Sequence, residues 1–430
     1  MSENAHEHPD LGPLPEDWQV VRLGEVAQIE MGQSPPSITY NSEGIGLPFF
    51  QGKADFGDIY PTTRKWCSSP NKIAEKDDIL LSVRAPIGDV NIATQRCCIG
   101  RGLTAIRAGA KSDSKYLFYH LLFSQELLES KGTGTTFKQI NKETVTHFLI
   151  PLPPLAEQRA IAHVLTSIQR AIEATEQVIA AVRELKKSLM RYLFTYGPVP
   201  VGAQHAVPLR ETEIGPIPAH WQVVRLGEVC DVKGGKRLPK GHTFAETPTK
   251  HPYIRVVDFT NGSVDLSNLK SLGEEDFTLL KRYIICSSDV YISIAGTIGL
   301  VGTVPKELDG ANLTENAARL VIKRQNELTR DFLKFSLSTP EQQTQISTLS
   351  TKTSQPKLAL ARIKQIYIHL PPLPEQRAIA EMLRTVDEKI QAEERRKAAL
   401  QSLFKSMLHH LMTGKVRTVG RVTMPTESEE

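Results

Sequence analysis

Apolar residues recur in alternating steps of four and three along two stretches of the chain, each beginning at a Leu-Pro-Pro-Leu block. This spacing predicts two amphipathic helices of about 37 residues, or ~55 Å each, carrying the a/d seam of a coiled coil. Proline is tolerated just before and within a first helical turn, so each helix is predicted to begin there. The seam residues are Ile161, Leu165, Ile168, Ile172, Ile179, Val182, Leu189 and Leu193 in the first stretch, and Ile379, Leu383, Val386, Ile390, Leu400, Phe404, Met407 and Leu411 in the second.

Four polar residues interrupt these seams: Thr175 and Lys186 in the first, and Glu393 and Lys397 in the second. Polar residues at such positions can fix register and partner choice at a cost in stability. Ordinary core packing of each helix against its own domain is the alternative interpretation. A seam sustained over roughly five heptads in both stretches, with abundant charge elsewhere on each helix, favours the coiled coil.

The segments before the helices have a different pattern, with short β-rich runs such as 79–83 and 290–294 separated by Gly/Pro turns. A helix is predicted at 115–128. Each segment is therefore predicted to be an α+β domain built on a strongly bent sheet.

The chain contains an internal repeat. WQVVRLGEV occurs at 18–26 and again at 221–229, and LPPLAEQRAIA at 152–162 matches LPPLPEQRAIA at 370–380 with one difference. Between these blocks the similarity falls to patches, such as DDILLSVRAPIGDV (77–90) against SDVYISIAGTIGLV (288–301). The frame is duplicated while each domain has diverged, which suggests that the two copies recognise two different things.

Composition limits the remaining possibilities. The 430 residues allow two domains plus connectors, and the net charge of +4 is compatible with nucleic acid without requiring it. No apolar run approaches the ~18 residues of a membrane span, and the polar start MSENAHEHPD does not resemble a signal peptide, so a cytoplasmic protein is expected. The five cysteines form no C-x-x-C pair, and all are predicted to be reduced and structural.

Catalytic signatures are missing from the sequence. It contains no phosphate-binding loop, and GTIGLVG at 296–302 has the wrong glycine spacing for a dinucleotide site, so a strand-end turn is predicted there. No zinc-protease motif, methyltransferase motif or nuclease cluster is present, and no metal site is predicted. Together with the duplication, this favours a non-catalytic binding protein. Two other interpretations are a coiled-coil scaffolding protein with two variable ligand-binding domains, and a self-contained DNA-modifying enzyme whose site leaves no local motif.

The paired Trp-x-x-x-x-Leu-Gly-Glu and Leu-Pro-Pro-Leu-x-Glu-Gln-Arg blocks, with variable domains between them, closely resemble the specificity subunit of type I restriction-modification systems. The resemblance extends over about 12–414, and GQSPPS (32–37) and GGKRLPKG (234–241) look like starts of that family's target-recognition domains. It implies a non-catalytic subunit that binds double-stranded DNA, with antiparallel helices that set the gap between half-sites. It also implies methyltransferase and restriction/translocase partner subunits, to which S-adenosylmethionine, ATP and Mg²⁺ would belong.

Two similar units in one chain can adopt a pseudo-twofold arrangement, with domains about one helical turn of DNA apart, ~34–36 Å. Because the two domains differ, a bipartite, asymmetric target is expected. The predicted boundaries are a disordered tail (1–11), a first target-recognition domain (12–152), a first spacer helix (153–196), a linker (197–214), a second target-recognition domain (215–370), a second spacer helix (371–413) and a C-terminal tail (414–430).

Base contacts require polar or basic side chains presented from loops. A solvated surface turn is the alternative at each such position, and the loops around Thr135 and Thr136 and around Thr353, Ser354 and Gln355 are weaker candidates. The Lys236-Arg237 pair is the strongest candidate, because three basic residues share its loop with three glycines. The predicted DNA-binding residues are Gln33, Ser34, Gln51, Lys53 and Arg84 in the first copy, and Lys236, Arg237, Lys240 and Arg255 in the second.

Overall fold

The structure is a computed structural model that describes residues 5–8, 11–134, 138–200, 202–203, 207–351 and 356–418. Its contacts divide the chain into two compact units. Unit 1 comprises 1–177 and 395–430, and unit 2 comprises 178–394. Each unit therefore contains one domain together with part of both long helices.

The first copy contributes thirteen described strands and five described α-helices. Its strands are β1 (Ala5–His8), β2 (Gly12–Pro15), β3 (Gln19–Arg22), β4 (Ala27–Met31), β5 (Tyr40–Asn41), β6 (Leu47–Phe50), β7 (Trp66–Cys67), β8 (Ile73–Ala74), β9 (Ile79–Ser82), β10 (Val90–Ile92), β11 (Cys97–Ile99), β12 (Leu103–Ala108) and β13 (Leu149–Leu152). Its helices are α1 (Leu23–Val26), α2 (Ser114–Phe123), α3 (Gln125–Ser130), α4 (Lys142–Thr146) and α5 (Leu155–Tyr196).

The second copy repeats this order with local differences. Its strands are β14 (Leu209–Arg210), β15 (Ile217–Pro218), β16 (Gln222–Arg225), β17 (Cys230–Gly234), β18 (Pro252–Ile254), β19 (Phe259–Thr260), β20 (Ser263–Val264), β21 (Lys270–Ser271), β22 (Ile284–Ile285), β23 (Val290–Ser293), β24 (Val301–Thr303), β25 (Ala311–Leu313), β26 (Ala317–Ile322) and β27 (Tyr367–Leu370). Its helices are α6 (Leu226–Val229), α7 (Glu274–Leu280), α8 (Arg330–Leu337), α9 (Pro340–Leu349), α10 (Leu360–Ile363) and α11 (Leu373–Met412).

The two long helices, α5 and α11, begin directly after Pro-Pro pairs and lie within the predicted ranges 153–196 and 371–413. A glycine in the left-handed region follows each helix: Gly197, at φ +77°, comes directly after α5, and Gly414, at φ +66°, comes two residues after the end of α11. Glycine has no Cβ to clash in this conformation, which is why it commonly terminates helices.

Ion pairs connect the long helices within each unit and show that they run antiparallel in unit 2. In unit 1, the Lys397 ammonium lies 2.7 Å from the Glu176 carboxylate. In unit 2, Lys186 pairs with Asp387 and Arg183 with Glu394, both at 2.6 Å, so partner numbers fall along α11 as they rise along α5. Lys186 and Lys397, two of the polar residues that interrupt the predicted seam, thus form ion pairs with the opposite helix.

The seam residues divide their packing between the domain cores and the helix pair. Ile161 and Leu165 join the core of unit 1, and Ile379 and Leu383 join that of unit 2. Ile172, Ile179 and Ile390 are buried outside those cores, as the coiled-coil interpretation expects. Leu411 and Leu193, at the ends of the helices, also join the cores of units 1 and 2, respectively. Core packing therefore describes both ends of each long helix, and coiled-coil packing describes the middle.

Unit 1 contains two main sheets, with strand orders β10-β9-β12-β4 and β5-β7-β6-β11-β8. The first sheet is antiparallel, whereas β6 and β11 pair in parallel in the second. The chain passes from β11 in one sheet to β12 in the other through residues 100–102. We call this segment the sheet-junction turn of unit 1.

Unit 2 has corresponding sheets with orders β17-β26-β23-β24 and β21-β18-β25-β22. Its parallel pair is β18 with β25, the counterpart of β6 with β11. The chain changes sheets between β25 and β26, so residues 314–316 are the sheet-junction turn of unit 2.

Two details differ from the sequence predictions. The helix predicted at 115–128 is interrupted at Ser124, whose φ of −91° and ψ of 12° end α2 before α3 begins. The tail predicted to be disordered contains β1, which pairs antiparallel with β2. A strand ladder is made by backbone groups, so a polar sequence does not prevent it. Along the described residues, no helix is both long and apolar enough to cross a membrane.

Candidate nucleic-acid interface

The repeated sequence blocks form one junction in each unit, between the domain and its long helix. In unit 1 the Trp18 indole N–H donates to the Glu157 carboxylate at 3.1 Å, and in unit 2 the Trp221 indole donates to Glu375 at 2.8 Å. Both tryptophans are buried, at 5% and 1% exposure, so each indole needs an acceptor. This bond explains why the Trp and Glu of the two blocks occur together in both copies.

The glutamine that follows each glutamate makes the same contacts in both copies. The Gln158 amide donates to the carbonyls of Lys111 and Pro153, and its oxygen accepts from the Asp113 backbone N–H. Gln376 repeats this with the carbonyls of Glu327 and Pro371 and the Thr329 N–H. The long helix of each copy is thereby fixed to the domain that precedes it.

In unit 1, four backbone hydrogen bonds gather separate segments around the sheet-junction turn. Gly32 N–H donates to Leu103 O at 2.9 Å, and Gln33 N–H donates to Ile99 O at 3.0 Å. Gly100 N–H donates to Phe50 O at 2.8 Å, and Val83 N–H donates to Gly102 O at 2.9 Å. The segments that carry Gln33, Gln51 and Arg84 therefore converge at this turn.

Unit 2 repeats the same four bonds. Gly235 N–H donates to Ala317 O, and Lys236 N–H donates to Leu313 O. Thr314 N–H donates to Ile254 O, and Ile294 N–H donates to Asn316 O. All four distances lie between 2.8 and 3.0 Å. The segments that carry Lys236 and Arg255 therefore meet at the corresponding turn. A single backbone framework presents different side chains in the two units.

This convergence requires glycine at the end of β4 and of β17. A Cβ on Gly32 would lie 2.2 Å from Gly100 O, and a Cβ on Gly235 would lie 2.1 Å from Thr314 O. Only a residue without a side chain allows the backbones to approach this closely.

We expect Gly32→Ala and Gly235→Ala each to lower the free energy of unfolding by about 1–3 kcal/mol, because the added methyl forces backbone segments apart. Thermal unfolding measures the loss. Gly273→Ala is the matched control, since a Cβ there meets nothing within 4 Å. Melting of Gly235→Ala at the same temperature as Gly273→Ala would contradict the role assigned to this close approach.

All five predicted DNA-binding residues of the first copy lie on or beside this framework. Gln33, Gln51 and Arg84 are exposed, and the Ser34 hydroxyl accepts from the Arg101 backbone N–H at 3.2 Å. Lys53 is also exposed, but its ammonium lies 2.7 Å from the Asp89 carboxylate. Lys53 must exchange this partner to reach a phosphate, whereas Arg84 makes no ion pair among the described residues.

In the second copy, three of the predicted residues occupy the loop after β17, residues 236–242, here called the β17 loop. Lys236, Arg237 and Lys240 are exposed there, and the Arg237 guanidinium lies 3.0 Å from the Glu315 carboxylate. The Tyr253 hydroxyl donates to Lys236 O at 2.8 Å and holds the loop against the domain. Burial raises the pKa of Tyr253, so this hydroxyl stays protonated and remains a donor.

Arg255 differs from the other three. Its guanidinium donates twice to Asp258, at 3.1 and 2.7 Å, and these hydrogen bonds raise its pKa. The Asp258 carboxylate also accepts from the Arg255 backbone N–H at 2.7 Å. The Arg255 side chain is therefore held within its own turn by hydrogen bonds to Asp258 and would have to break them to contact DNA.

The sequence predictions missed Arg101, which is exposed on the sheet-junction turn of unit 1. Arg101 corresponds to Glu315 in unit 2, where Glu315 pairs with Arg237. In unit 1 the position that corresponds to Arg237 is occupied by Ser34, whose hydroxyl accepts from the Arg101 backbone N–H. The Gly-Arg-Gly triplet at 100–102, between two strand-like runs, was the available signal. Thr135, Thr136, Thr353, Ser354 and Gln355 lie outside the described residues.

These side chains can form hydrogen bonds and ion pairs, the contacts used to bind phosphates and base edges. Among the described residues, no group of three or more His, Cys, Asp or Glu side chains is arranged to hold a metal ion. The absence of a metal site remains a prediction, as do the individual DNA contacts.

Comparison with known proteins identifies the class. A family model described as the type I restriction modification DNA specificity domain matches residues 15–184 and 218–402, one match in each copy. The chain therefore belongs to the type I restriction-modification DNA specificity family.

Named relatives agree with this assignment. The MjaVIII specificity subunit of Methanocaldococcus jannaschii is 28% identical over 411 residues, which cover 94% of each chain. A putative MjaX specificity subunit of the same organism is 47% identical over 189 residues, covering 43% of this chain and 44% of that relative. The crystal structure of an S subunit from M. genitalium has the same fold, with a TM-score of 0.61 at 19% identity over 92% of this chain and 96% of that one.

The predicted family resemblance and the α+β class with two domains and long helices are thus confirmed. The prediction of a DNA-recognition component, rather than a catalytic one, is confirmed as well, since the family and its relatives are named for specificity.

Proposed function

We propose that this chain binds a bipartite, asymmetric DNA site, with one half-site contacted by the loops around each sheet-junction turn. The observation that carries the proposal is the duplicated set of four backbone bonds, which holds corresponding loops in both units. The side chains on those loops differ, so the two units offer different hydrogen-bonding groups to base edges. Different surfaces on a common frame imply two unlike half-sites.

The partners are part of the same proposal. Methyltransferase subunits and restriction/translocase subunits assemble with this chain, and S-adenosylmethionine, ATP and Mg²⁺ bind to those subunits. A location in the cytoplasm accords with the five free cysteines, four of which are buried. Burial raises the pKa of Cys97, Cys98 and Cys230 to about 12, so these thiols are unreactive at neutral pH.

Selection from a pool of randomised duplexes tests the bipartite site. The full-length chain, with its methyltransferase subunits where these are required for solubility, is expected to enrich two short motifs separated by an unselected spacer. Enrichment of one continuous motif would contradict the two-unit arrangement. Enrichment of no sequence would favour the alternative of a scaffolding protein that binds other ligands.

We expect Arg237→Ala to weaken binding to the selected duplex about tenfold, because one charge-assisted contact from the β17 loop is lost. Its side chain is 72% exposed, so the substitution leaves the fold intact. Titration by fluorescence anisotropy at several salt concentrations measures the effect. A phosphate contact predicts a salt slope smaller by about one, and a base contact predicts relaxed preference at one position.

Arg324→Ala is the matched control for this measurement. Arg324 is also exposed in unit 2 and also paired with a carboxylate, that of Glu327, but it lies outside the β17 loop. If Arg237→Ala and Arg324→Ala bind equally well at low salt, the β17 loop does not contact DNA.

A further inference from the structure

Unit 2 exposes an apolar side chain beside its candidate DNA-binding residues. Val257 is 79% exposed at the apex of the turn formed by residues 255–258. The turn starts directly after Ile254, whose carbonyl accepts from Thr314 N–H of the sheet-junction turn. Val257 therefore lies on one of the segments gathered at that turn. The Lys236 N–H of the β17 loop donates to Leu313 O, directly before the same turn.

The turn holds Val257 rigidly at its apex. Asp258 is 5% exposed, and its carboxylate accepts from the Arg255 backbone at 2.7 Å and from the Arg255 guanidinium at 3.1 and 2.7 Å. Its own N–H donates to Arg255 O at 3.0 Å, which closes the turn. Next along the chain, the Phe259 ring stacks on Tyr291 with centroids 3.8 Å apart. The apolar tip cannot fold back onto the domain without breaking these contacts.

Unit 1 has a similar turn that is one residue longer and has a different tip. There the Asp55 carboxylate accepts from the Gln51 N–H at 2.7 Å, and the Asp55 N–H donates to Gly52 O at 3.1 Å. The tip residues are Lys53 and Ala54, where unit 2 has two valines. A carboxylate-closed turn is thus common to both units, while its tip changes from basic to apolar.

We propose that Val257 contacts the 5-methyl group of a thymine in the half-site bound by unit 2, which makes it a specificity-determining residue. A valine tip cannot form hydrogen bonds, and the thymine methyl is the apolar group that base edges present in the major groove. The turn presents this apolar contact on a segment bonded to the same end of β25 as the β17 loop, which carries Lys236 and Arg237. The inference rests on the proposed DNA-binding function.

Two randomised duplex pools, one synthesised with thymine and one with uracil, provide the test, because uracil lacks only the methyl group. With the full-length chain, we expect one half-site position to select uracil in the uracil pool about fourfold less strongly than it selects thymine in the thymine pool, as expected for the loss of one buried methyl. Val257→Ala should show the same reduction in the thymine pool and no further reduction in the uracil pool.

Leu279→Ala is the matched control, because Leu279 is a comparably exposed apolar residue of unit 2, at 56%, on α7 rather than on the turn. The Leu279→Ala variant should enrich the same sequences as the unsubstituted chain, to the same extent, in both pools. A defined motif with equal enrichment in both pools, or a Val257→Ala variant that still prefers thymine over uracil, overturns the methyl contact and leaves the proposed function standing. Failure of the unsubstituted chain to enrich any sequence overturns the proposed function and this inference together.

Discussion

Replacing Glu157 with alanine is expected to lower the free energy of unfolding of unit 1 by about 3 kcal/mol. Glu157 is 3% exposed and accepts three hydrogen bonds: one from the Trp18 indole at 3.1 Å and two from the Arg417 guanidinium at 2.7 and 2.8 Å. The substitution leaves a buried indole N–H without its acceptor and removes the main counter-charge of Arg417. Urea unfolding followed by tryptophan fluorescence measures the loss.

The contact is important because it joins distant parts of the chain. Trp18 precedes β3, Glu157 lies in the first turn of α5, and Arg417 follows the end of α11. Arg417 also donates to Asp17 at 2.6 Å and lowers the pKa of that carboxyl. One buried carboxylate thus connects the first strands, the start of α5 and the segment after α11.

Two variants separate the charge from the hydrogen bonds. Glu157→Gln keeps an acceptor for the Trp18 indole but loses the charge facing Arg417, so its cost should be smaller, about 1–2 kcal/mol. Glu375→Ala is the matched change in unit 2, where the partners are Trp221 and the half-exposed His220. If Glu375→Ala lowers the free energy of unfolding more than Glu157→Ala does, the stabilisation attributed to the contact between Glu157 and Arg417 is wrong.

Acid is expected to destabilise both units between pH 6.5 and about 4, because each has a buried neutral histidine. Burial lowers the pKa of His120 in unit 1 and of His369 in unit 2 from 6.5 to about 4. Below pH 6.5 the unfolded chain binds protons that the folded chain does not, so stability falls with pH through this window. Each histidine contributes about 3 kcal/mol to this loss once pH reaches the folded-state pKa.

The surroundings of the two histidines explain the lowered pKa values. The His120 ring lies near the rings of Tyr116 and Phe123, and its Nε2 lies 3.2 Å from the Ser124 hydroxyl. The His369 ring lies among Phe194 and Trp221. Among the described residues, the Nδ1 atom of each ring has no hydrogen-bond partner, so a second ring proton would have no acceptor.

Substitution of each histidine by phenylalanine tests the assignment. His120→Phe and His369→Phe should each reduce the pH dependence of the unfolding free energy by about one proton between pH 6.5 and 4. His163→Phe serves as the control, since His163 is exposed on α5. Calorimetric scans at several pH values provide the comparison. If the His369→Phe variant loses stability on acidification as steeply as the unsubstituted chain, His369 is not the residue responsible.

Much of the frame was predictable from the sequence because its signals are local. Helix periodicity, Pro-Pro starts and glycine ends are read from neighbouring residues, and they predicted α5 and α11 closely. The repeated Trp and Glu-Gln blocks predicted a duplicated unit, and the structure shows that they form the domain-to-helix junctions. The interruption of α2 at Ser124 was missed because a single residue's backbone angles decide it.

The candidate site was only partly predictable because it is assembled from distant segments. Loop composition alone selected Gln33, Gln51 and Arg84, but nothing in the sequence indicated that all three would meet at residues 100–102. Parallel pairing of β6 with β11 and antiparallel pairing of β12 with both β4 and β9 bring them together. Arg101 was missed for the same reason, since its position at the junction of two sheets becomes visible only once those strands are paired.

The sequence by itself determined the duplicated α+β frame, the two long helices and the family, because these depend on residue patterns within a short stretch of chain. The tertiary structure alone decided which side chains are available to a ligand. Arg255 is committed to Asp258 and Arg417 to Glu157, whereas Val257 is exposed on a rigid turn. The physical reason is that hydrogen bonds and burial act over a few ångströms in space, and folding sets those distances between residues that can be hundreds of positions apart.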